Sequence, residues 1–567
     1  MARTVSIGNQ DFAAIMEHQY FYIDKTDFLK EWWENGDVVT LITRPRRFGK
    51  TLNMSMTEYF FSVKHAGRTD LFESLSIWKE EKYRQIQGTF PVISLSFANI
   101  KESSYSAARK KLCQMLTDLY TDHSFLLDSG ILPKRDQEFF QNISPDMDDM
   151  YATLAIHHLS KYLNLYYKKK VIILLDEYDT PMQEAYMNGY WEKLTGFIRS
   201  LFNAAFKTNP FLERAIMTGI TRVSRESVFS DLNHPEVVTT TSEKYEDAFG
   251  FTQQEVSGAL KEYGLSEQEA EVTYWYDGFT FGRRTDIYNP WSILNFLDKG
   301  KLAAYWANTS SNSLIGRLIR SGSRNVKMIM EDLLNGKSFH TSIDEQIVYD
   351  RLDLEETALW SLLLAGGYLK VKHFENRMTE FGDWNQEYEL ELTNFEVKVM
   401  FRTIIQSWFA ASRTNYNDFV KALLQGNLEA MNAYMNQLSE TIFSSFDTGR
   451  KSSERTEPER FYHGLVLGLM MVLKERYVIT SNRESGFGRY DVQLEPRRSE
   501  DDAILLEFKV RNPLKERSLE ETVQHALAQI TERDYAAALR QKGIPETRIR
   551  KYGFAFEGKR VLIGGAD

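Results

Sequence analysis

The sequence predicts an α/β protein: a parallel-sheet core, then a helical middle region, then a second, compact α/β module. Three observations lead to this prediction. A β-branched strand runs directly into a basic loop and a helical pattern at Val38–Thr51. A second strand, Val171–Leu175, has the continuous apolar character of a central parallel strand. Near the C-terminus, short strands and helices alternate after a polar linker at Asp447–Glu459.

These patterns divide the chain into three expected regions. Residues 1–245 form an α/β core whose predicted strands are separated by helical patterns: Val38–Ile42, Pro91–Phe97, Val171–Leu175 and Ala215–Thr218. Residues 246–450 are expected to be helical and to act as a lid and linker, and the helical pattern persists from about 346 to 450. Residues 451–567 are predicted to contain a helix at 459–475, strands at 477–482, 489–495 and 503–510, a helix at 518–540 and a strand at 552–556.

Composition excludes several classes of protein. With 43 % hydrophobic residues the chain is not disordered, and its net charge of −10 does not fit a general nucleic-acid coat protein. The single cysteine, Cys113, cannot form an internal disulfide, which fits a reducing, cytoplasmic location. The longest apolar stretch, Leu465–Leu473, is far shorter than the ~20 residues that cross a bilayer, so no membrane association is expected.

The loop after the first strand resembles a phosphate-binding loop, whose pattern is Gly-x-x-x-x-Gly-Lys-[Ser/Thr]. Gly49, Lys50 and Thr51 match this pattern, whereas Arg44 replaces the first glycine. We expect backbone amides and Lys50 to bind phosphate groups, and the Thr51 hydroxyl to bind Mg²⁺. The expected cofactor-binding set also includes Arg46, Arg47 and Phe48.

Polar residues at the ends of two later strands complete a predicted ATP site. Asp176 follows the strand at 171–175 and would hold the Mg²⁺ shell, and Glu177 would orient the attacking water. Thr218, at the end of another strand, is a candidate sensor of the γ-phosphate. Arg222 is a candidate phosphate contact, within the same chain or in a neighbouring subunit. ATP and Mg²⁺ are therefore the expected cofactors.

A second site is predicted on the strand Ala503–Val510. Side chains alternate between the two faces of a strand, so Glu507 and Lys509 share the face opposite the apolar residues. Asp491 lies on the preceding strand, and neighbouring strands are about 4.8 Å apart, so Asp491 and Glu507 can bind one cation. Two carboxylates with open water positions suit Mg²⁺ or Mn²⁺. Such a metal would activate water for phosphodiester hydrolysis, assisted by Lys509.

Residues on the neighbouring helices extend this prediction. Glu459 is expected to add a carboxylate to the metal shell, and Gln529 to orient substrate or water. Local basic residues would supply the attraction for phosphate that the acidic net charge does not. They are Arg483, Arg489, Arg497, Arg498, Arg511 and Lys515.

The chain as a whole resembles bacterial AAA-ATPase-like proteins that carry a C-terminal PD-(D/E)XK nuclease domain. In the wider nuclease superfamily, the residues matching Asp491, Glu507 and Lys509 bind metal and catalyse cleavage, which the resemblance implies here. It also implies that Arg44 in place of glycine is a family feature, and roles suggested for relatives include defence against mobile elements. The matching stretches are 22–26, 44–51, 175–179, 218–220 and 288–290 in the first part, and 461–464, 482–491 and 507–509 in the last.

Three functions remain open at this level. The first is an ATP-regulated nuclease acting on nucleic acid, with DNA as the expected target. The second is a nucleotide-switched binding or scaffold protein whose C-terminal module binds DNA or a partner without cutting. The third is a signalling ATPase that forms a homo-oligomer on detecting a ligand and has the nuclease as its effector, with Arg222 or the pair Arg46–Arg47 acting between subunits.

Overall fold

A computed structural model gives the fold of two compact units, Met1–Phe401 and Arg402–Asp567. The structure describes residues 2–223, 235–306, 313–345, 349, 352, 355–378, 384–408, 413–443, 466, 470, 473, 476–485, 488–557 and 560–566. The division of the chain at residues 245 and 450 remains a prediction.

The first unit is built on a parallel sheet of five described strands in the order β2-β3-β4-β1-β5. Their bounds are β1 Val39–Thr43, β2 Val92–Ser96, β3 Val171–Asp176, β4 Leu212–Gly219 and β5 Glu236–Val238. The four predicted strands are thus present, and β5 was not predicted. Every residue of β3 is buried, as its continuous apolar sequence requires for a strand covered on both faces.

Helices surround this sheet and fill the connections between its strands. Their bounds are α1 Phe12–Glu17, α2 Asp27–Asn35, α3 Lys50–Phe61, α4 Glu81–Arg84, α5 Tyr105–Asp122, α6 Phe125–Asp128, α7 Lys134–Gln141, α8 Asp149–Tyr167, α9 Thr180–Asn188 and α10 Trp191–Phe202. The carboxyl ends of β1, β3 and β4 meet at one edge of the sheet, where ligands bind in open α/β folds.

The remainder of the first unit is mainly helical, as predicted. The helices are α11 Gln253–Glu262, α12 Glu269–Tyr276, α13 Pro290–Lys299, α14 Ser313–Ser321, α15 Arg324–Leu334 and α16 Glu356–Ala365, and α17 Phe395–Trp408 spans the boundary between the two units. Helix α11 begins with a capping box, in which Thr252 accepts from the Glu255 N–H and the Glu255 side chain accepts from the Thr252 N–H.

Two small antiparallel sheets in this part of the chain were not predicted. The strands are β6 Phe251–Thr252, β7 Phe279–Phe281 and β8 Arg284–Tyr288 in one sheet, and β9 Phe339–Thr341, β10 Leu369–Met378 and β11 Trp384–Leu392 in the other. The prediction that the chain stays helical from about 346 to 450 is wrong where two strands of the second sheet, β10 and β11, occur. The register of β10 shifts between Val371 and His373. This bulge interrupts the two-residue alternation by which a strand is recognised in sequence.

The second unit contains a mixed sheet in the order β12-β13-β14-β15-β16, in which only β14 and β15 pair in parallel among the described strands. The strands are β12 Tyr477–Ser485, β13 Gly488–Pro496, β14 Ala503–Val510, β15 Ile549–Glu557 and β16 Arg560–Ala566, and β16 was not predicted. The helices are α18 Arg413–Gln425, α19 Leu428–Phe443, α20 Leu519–Glu532 and α21 Ala537–Gln541. The predicted helix at 459–475 lies outside the described residues except at 466, 470 and 473.

Each face of β14 is covered by a different hydrophobic cluster. Ile504, Leu506 and Phe508 pack in a cluster with residues of α18 and α19. Ala503 and Leu505 pack on the other side with residues of α20 and α21. Glu507 and Lys509 belong to this second face, because side chains alternate along a strand. The fold therefore places the predicted polar pair beside α20.

Candidate functional sites

The loop between β1 and α3 has the backbone of a tight phosphate-binding turn. Arg47 and Gly49 adopt left-handed conformations, with φ of 67° and 82°. Glycine adopts such a conformation without strain, which explains why Gly49 immediately precedes the first helical residue, Lys50. The first turn of α3 has backbone N–H groups without helical partners, and these favour binding of an anion.

The side chain of Lys50 lies beneath this loop. Its Nζ donates to the carbonyl oxygens of Arg44 and Pro45, at 2.8 Å each, and the residue is only 6 % exposed. Burial lowers the pKa of Lys50 to about 8, partly opposed by the nearby charges of Glu177 and Asp176. The Lys50 ammonium group thus stabilises the loop through these two hydrogen bonds. It lies at the base of the loop, where a phosphate group would bind.

Asp176 joins the loop to the ends of β3 and β4. Its Oδ2 accepts from the Thr51 hydroxyl at 2.7 Å, and its Oδ1 accepts from the Thr218 hydroxyl. Burial raises the pKa of Asp176, and these two hydrogen bonds oppose the rise. A threonine hydroxyl and a carboxylate are oxygen ligands that suit Mg²⁺, so the residues present fit this ion.

Glu177 turns away from the strand immediately after Asp176. Its φ of 52° lies in the left-handed region, which is uncommon for a residue with a side chain and is often found at functional sites. The Thr180 hydroxyl donates to its Oε2 at 3.1 Å, and its own N–H donates to Thr218 Oγ1 at 3.4 Å.

The next two residues anchor the end of β4, a role that the sequence analysis missed. The Asp179 carboxylate accepts from the N–H groups of Ile220 and Thr221, at 3.0 and 2.8 Å. The Tyr178 hydroxyl donates to the Thr221 carbonyl at 2.7 Å and accepts from the Val223 N–H at 3.0 Å. The Asp-Glu-Tyr-Asp run at 176–179 was the available signal, because two further polar groups follow the predicted pair.

The conformation and contacts of Arg44 show why the first position of the loop does not need to be glycine. Its φ is not among the positive values, so the position does not require glycine's freedom. The side chain is fully buried and donates to the carbonyl oxygens of Thr43, Thr239 and Lys244. The guanidinium carbon also lies 4.4 Å from the ring centroid of Phe281. Arg44 therefore supports the loop from below.

Restoring the usual glycine in an Arg44→Gly variant should destabilise the protein. Two buried carbonyl groups and one partly buried carbonyl group would lose a donor, and we expect a loss of about 3 kcal/mol in the free energy of unfolding. A lower melting temperature than wild type by several degrees would be the observed effect. Arg47→Ala is a matched control, because Arg47 is exposed and should change stability little. An Arg44→Gly protein as stable as wild type would contradict this account of Arg44.

The other predicted loop residues contact helix α9 and the middle region. Arg46 Nη2 lies 3.3 Å from Gln183 Oε1, the Arg47 guanidinium carbon lies 4.4 Å from the ring centroid of Trp291, and Phe48 is buried. The Trp306 indole N–H donates to the Arg46 carbonyl at 3.0 Å. The middle region thus fixes the outer side of the loop. The rings that pack against Phe48 are those of Phe279 and Phe281, with centroids at 4.7 and 5.3 Å.

Arg222 occupies a different position from Thr218. Whereas Thr218 contacts Asp176, Arg222 lines a small pocket together with Thr43 and Thr239. The Thr239 hydroxyl donates to Glu345 Oε1 at 3.1 Å beside it. The role of Arg222 as a phosphate contact remains a prediction.

In the second unit, Gln529 of α20 links the predicted pair on β14. Its Oε1 accepts from Lys509 Nζ at 2.6 Å, and its Nε2 donates to Glu507 Oε1. The same Nε2 donates to the Tyr535 hydroxyl at 2.9 Å, a buried residue that the sequence analysis did not select. The Gln529 amide therefore links the Glu507 carboxylate to the Lys509 ammonium group. The Tyr535 hydroxyl in turn fixes the position of the amide.

Asp491 approaches the same cluster from β13. Val492 pairs with Leu506, so continuing this antiparallel register by one residue places Asp491 opposite Glu507. Residues directly opposite each other point to the same face of a sheet. Asp491 Oδ2 accepts from the backbone N–H of Phe508 at 2.8 Å, which orients the carboxylate along β14.

The described side chains of this cluster supply only two carboxylate ligands for a divalent cation such as Mg²⁺. Asp491 and Glu507 are suitable ligands. No group of three or more His, Cys, Asp or Glu side chains able to hold a metal is found in the part of the chain that the structure describes. Glu459, the predicted third carboxylate, lies outside the described residues.

The predicted basic cluster is only partly available for phosphate. Arg511 pairs with Glu557 and donates to the backbone carbonyls of Glu516 and Arg517, so it braces the loop after β14. Arg497, Arg498 and Lys515 are exposed.

Together the two units define a chain with a P-loop ATPase-like site and a carboxylate–lysine site of the nuclease type. Comparison with protein families agrees with this class. Residues 6–229 match the family described as predicted AAA-ATPase, and residues 457–565 match the PD-(D/E)XK nuclease superfamily. The N-terminal part of the chain is therefore similar to AAA-ATPase-like domains and the C-terminal part to PD-(D/E)XK nuclease domains, which confirms the predicted resemblance and fold class.

One curated relative is similar over much of its length. It is a protein of Azotobacter chroococcum mcd 1 described as "Uncharacterized protein in vnfD 5'region", 22 % identical over 402 residues, or 70 % of this chain and 68 % of the relative. Among the described residues, no helix is both long and apolar enough to cross a membrane.

Proposed function

We propose that this protein binds and hydrolyses ATP at the P-loop site and cleaves phosphodiester bonds of nucleic acid at the C-terminal site. DNA is the expected substrate, and defence against mobile elements is the proposed role. The observation that carries the nuclease proposal is the cluster in which Gln529 contacts both Glu507 and Lys509.

For ATP, each residue has a separate task. The N–H groups at the start of α3 and the Lys50 ammonium bind phosphate oxygens. Thr51 and Asp176 would hold Mg²⁺, which when bound neutralises charge on the phosphates. Glu177, the carboxylate next to Asp176 in the chain, orients the attacking water. Thr218 keeps Asp176 in position through its hydroxyl.

For nucleic acid, the reaction is hydrolysis at phosphorus. A water oxygen forms a bond to phosphorus, one P–O bond to the sugar breaks, and the departing oxygen receives a proton. Asp491 and Glu507 would hold Mg²⁺ or Mn²⁺, which when bound activates water and stabilises developing charge. Lys509 binds a phosphate oxygen as negative charge grows on that oxygen. Gln529 keeps the Lys509 and Glu507 side chains in position through its hydrogen bonds to both.

The test is a cleavage panel on the full-length protein. Single-stranded and duplex DNA and RNA, linear and circular, are incubated with Mg²⁺ or Mn²⁺, with and without ATP, and with EDTA. We expect metal-dependent cleavage of DNA that EDTA abolishes. Binding of DNA without cleavage under every condition would contradict the nuclease proposal and favour the nucleotide-switched binding protein.

Nucleotide affinity should depend on pH through Lys50. Its pKa is lowered to about 8 by burial, and a bound phosphate favours the charged form and so raises this pKa. Below about pH 8 the ammonium is already protonated and affinity is constant. Above that pH a proton must be taken up on binding, so affinity should fall by up to about tenfold per pH unit. Titration of an ATP analogue from pH 7.5 to 9.5 measures this, and a flat profile would contradict it.

A further inference from the structure

His525 lies on the same face of α20 as Gln529. Residues four positions apart on a helix are neighbours, with Cβ atoms about 6 Å apart. Gln529 contacts Glu507 and Lys509, so His525 is one helical turn from the proposed catalytic cluster. Helix α20 begins after the loop that follows β14, and His525 is therefore on the side of that loop.

The imidazole is held in a fixed orientation by a largely buried carboxylate. His525 Nδ1 lies 2.7 Å from Glu516 Oε1, and the Glu516 side chain is 9 % exposed. Glu516 Oε2 accepts from the Asn512 N–H at 2.7 Å and from the Thr522 hydroxyl at 2.9 Å. With Nδ1 engaged, the remaining nitrogen Nε2 is the one available to a ligand, and the His525 side chain is 52 % exposed.

Two basic residues adjoin Glu516, the residue that contacts His525. Lys515 and Arg517 flank Glu516 in the chain, and both are exposed. Neither forms an ion pair with any residue that the structure describes. The Glu521 carboxylate, one helical turn before His525, accepts from the backbone N–H of Arg517 at 2.6 Å. The loop itself is braced, because Arg511 donates to the carbonyls of Glu516 and Arg517.

We propose that His525, held by Glu516, binds a backbone phosphate of the nucleic acid next to the phosphate that is cleaved. The inference rests on the proposed nuclease function and extends it to the substrate-binding surface. Nε2–H of the imidazole donates to a phosphate oxygen, and the Glu516 carboxylate stabilises the positive charge that this contact favours. Lys515 and Arg517 add a sequence-independent attraction on the same side.

The test compares steady-state cleavage of a DNA substrate by wild type and by His525→Ala in the full-length protein. We expect KM to rise about tenfold with kcat within about twofold, since one charge-assisted hydrogen bond to substrate is lost. The slope of log KM against log salt concentration should become shallower by about 0.9, the value for one phosphate contact. His525→Gln, which retains a donor, should recover part of the affinity.

His373→Ala is the matched control. His373 is also an exposed histidine beside a glutamate, with Nε2 3.0 Å from Glu375 Oε1, but it lies in the first unit. KM and salt slope equal to those of the control would overturn the proposal. So would equal losses of melting temperature and activity in the Ala and Gln variants, because His525 would then only support the helix.

The failure of this inference can be told from failure of the proposed function. Cleavage that requires Lys509 but is unaffected by His525→Ala overturns the inference alone. Absence of any cleavage that depends on Lys509 overturns both.

Discussion

Replacement of Lys509 by alanine will lower metal-dependent cleavage of nucleic acid by about 10³-fold, a loss typical for a group that stabilises charge in the transition state. Lys509 Nζ is 2.6 Å from Gln529 Oε1, within the cluster that contains Glu507. Its removal takes away the side-chain cation that would stabilise developing negative charge on the phosphate beside the metal. A single-turnover cleavage assay with saturating metal measures the effect on the chemical step.

The change should act on the reaction and not on the fold. Lys542→Ala is a suitable control, since Lys542 Nζ pairs with Glu495 at 2.6 Å on an exposed part of the same unit. We expect the control to cleave like wild type and both variants to melt close to the wild-type temperature. Cleavage that survives in Lys509→Ala at the wild-type rate would show that any nuclease activity comes from another site or from a contaminant.

Replacement of Lys50 by alanine will abolish measurable ATP turnover and weaken nucleotide binding at least about 100-fold. The variant loses the buried ammonium that contacts the carbonyls of Arg44 and Pro45, and with it the positive charge for the phosphates. Glu177→Gln should separate the two effects. It retains the phosphate-binding loop, so binding should persist while turnover falls by about 10²-fold or more.

Isothermal titration with an ATP analogue and a phosphate-release assay together distinguish these outcomes. Lys337→Ala serves as the control, because Lys337 forms an exposed pair with Asp332 at 2.6 Å. Wild-type turnover in Lys50→Ala would contradict the assignment of the loop. If Lys50→Ala loses turnover but retains nuclease activity, the two activities are independent.

Local sequence patterns were sufficient to predict the helices, strands and turns whose formation depends mainly on residues close together in the chain. The apolar run before Asp176 predicted β3, and Gly-Lys-Thr predicted the turn into α3. Alternation along β14 placed Glu507 and Lys509 on one face, because a strand has a strict period of two. The hairpin of β10 and β11 was missed because the register shift between Val371 and His373 interrupts the alternation of β10. The strand β16 was missed because it contains two glycines, Gly564 and Gly565, which are uncommon in strands.

The sequence by itself determined which residue types are present and which face of an element each occupies. Only the tertiary structure decided which of them meet. Arg44 appeared as a departure from the loop pattern, yet its side chain is a buried support for Thr43, Thr239 and Lys244. Asp491 and Gln529 reach β14 through strand register and helix packing. Such contacts join residues far apart in the chain, and they follow from the packing of apolar faces, which no local pattern encodes.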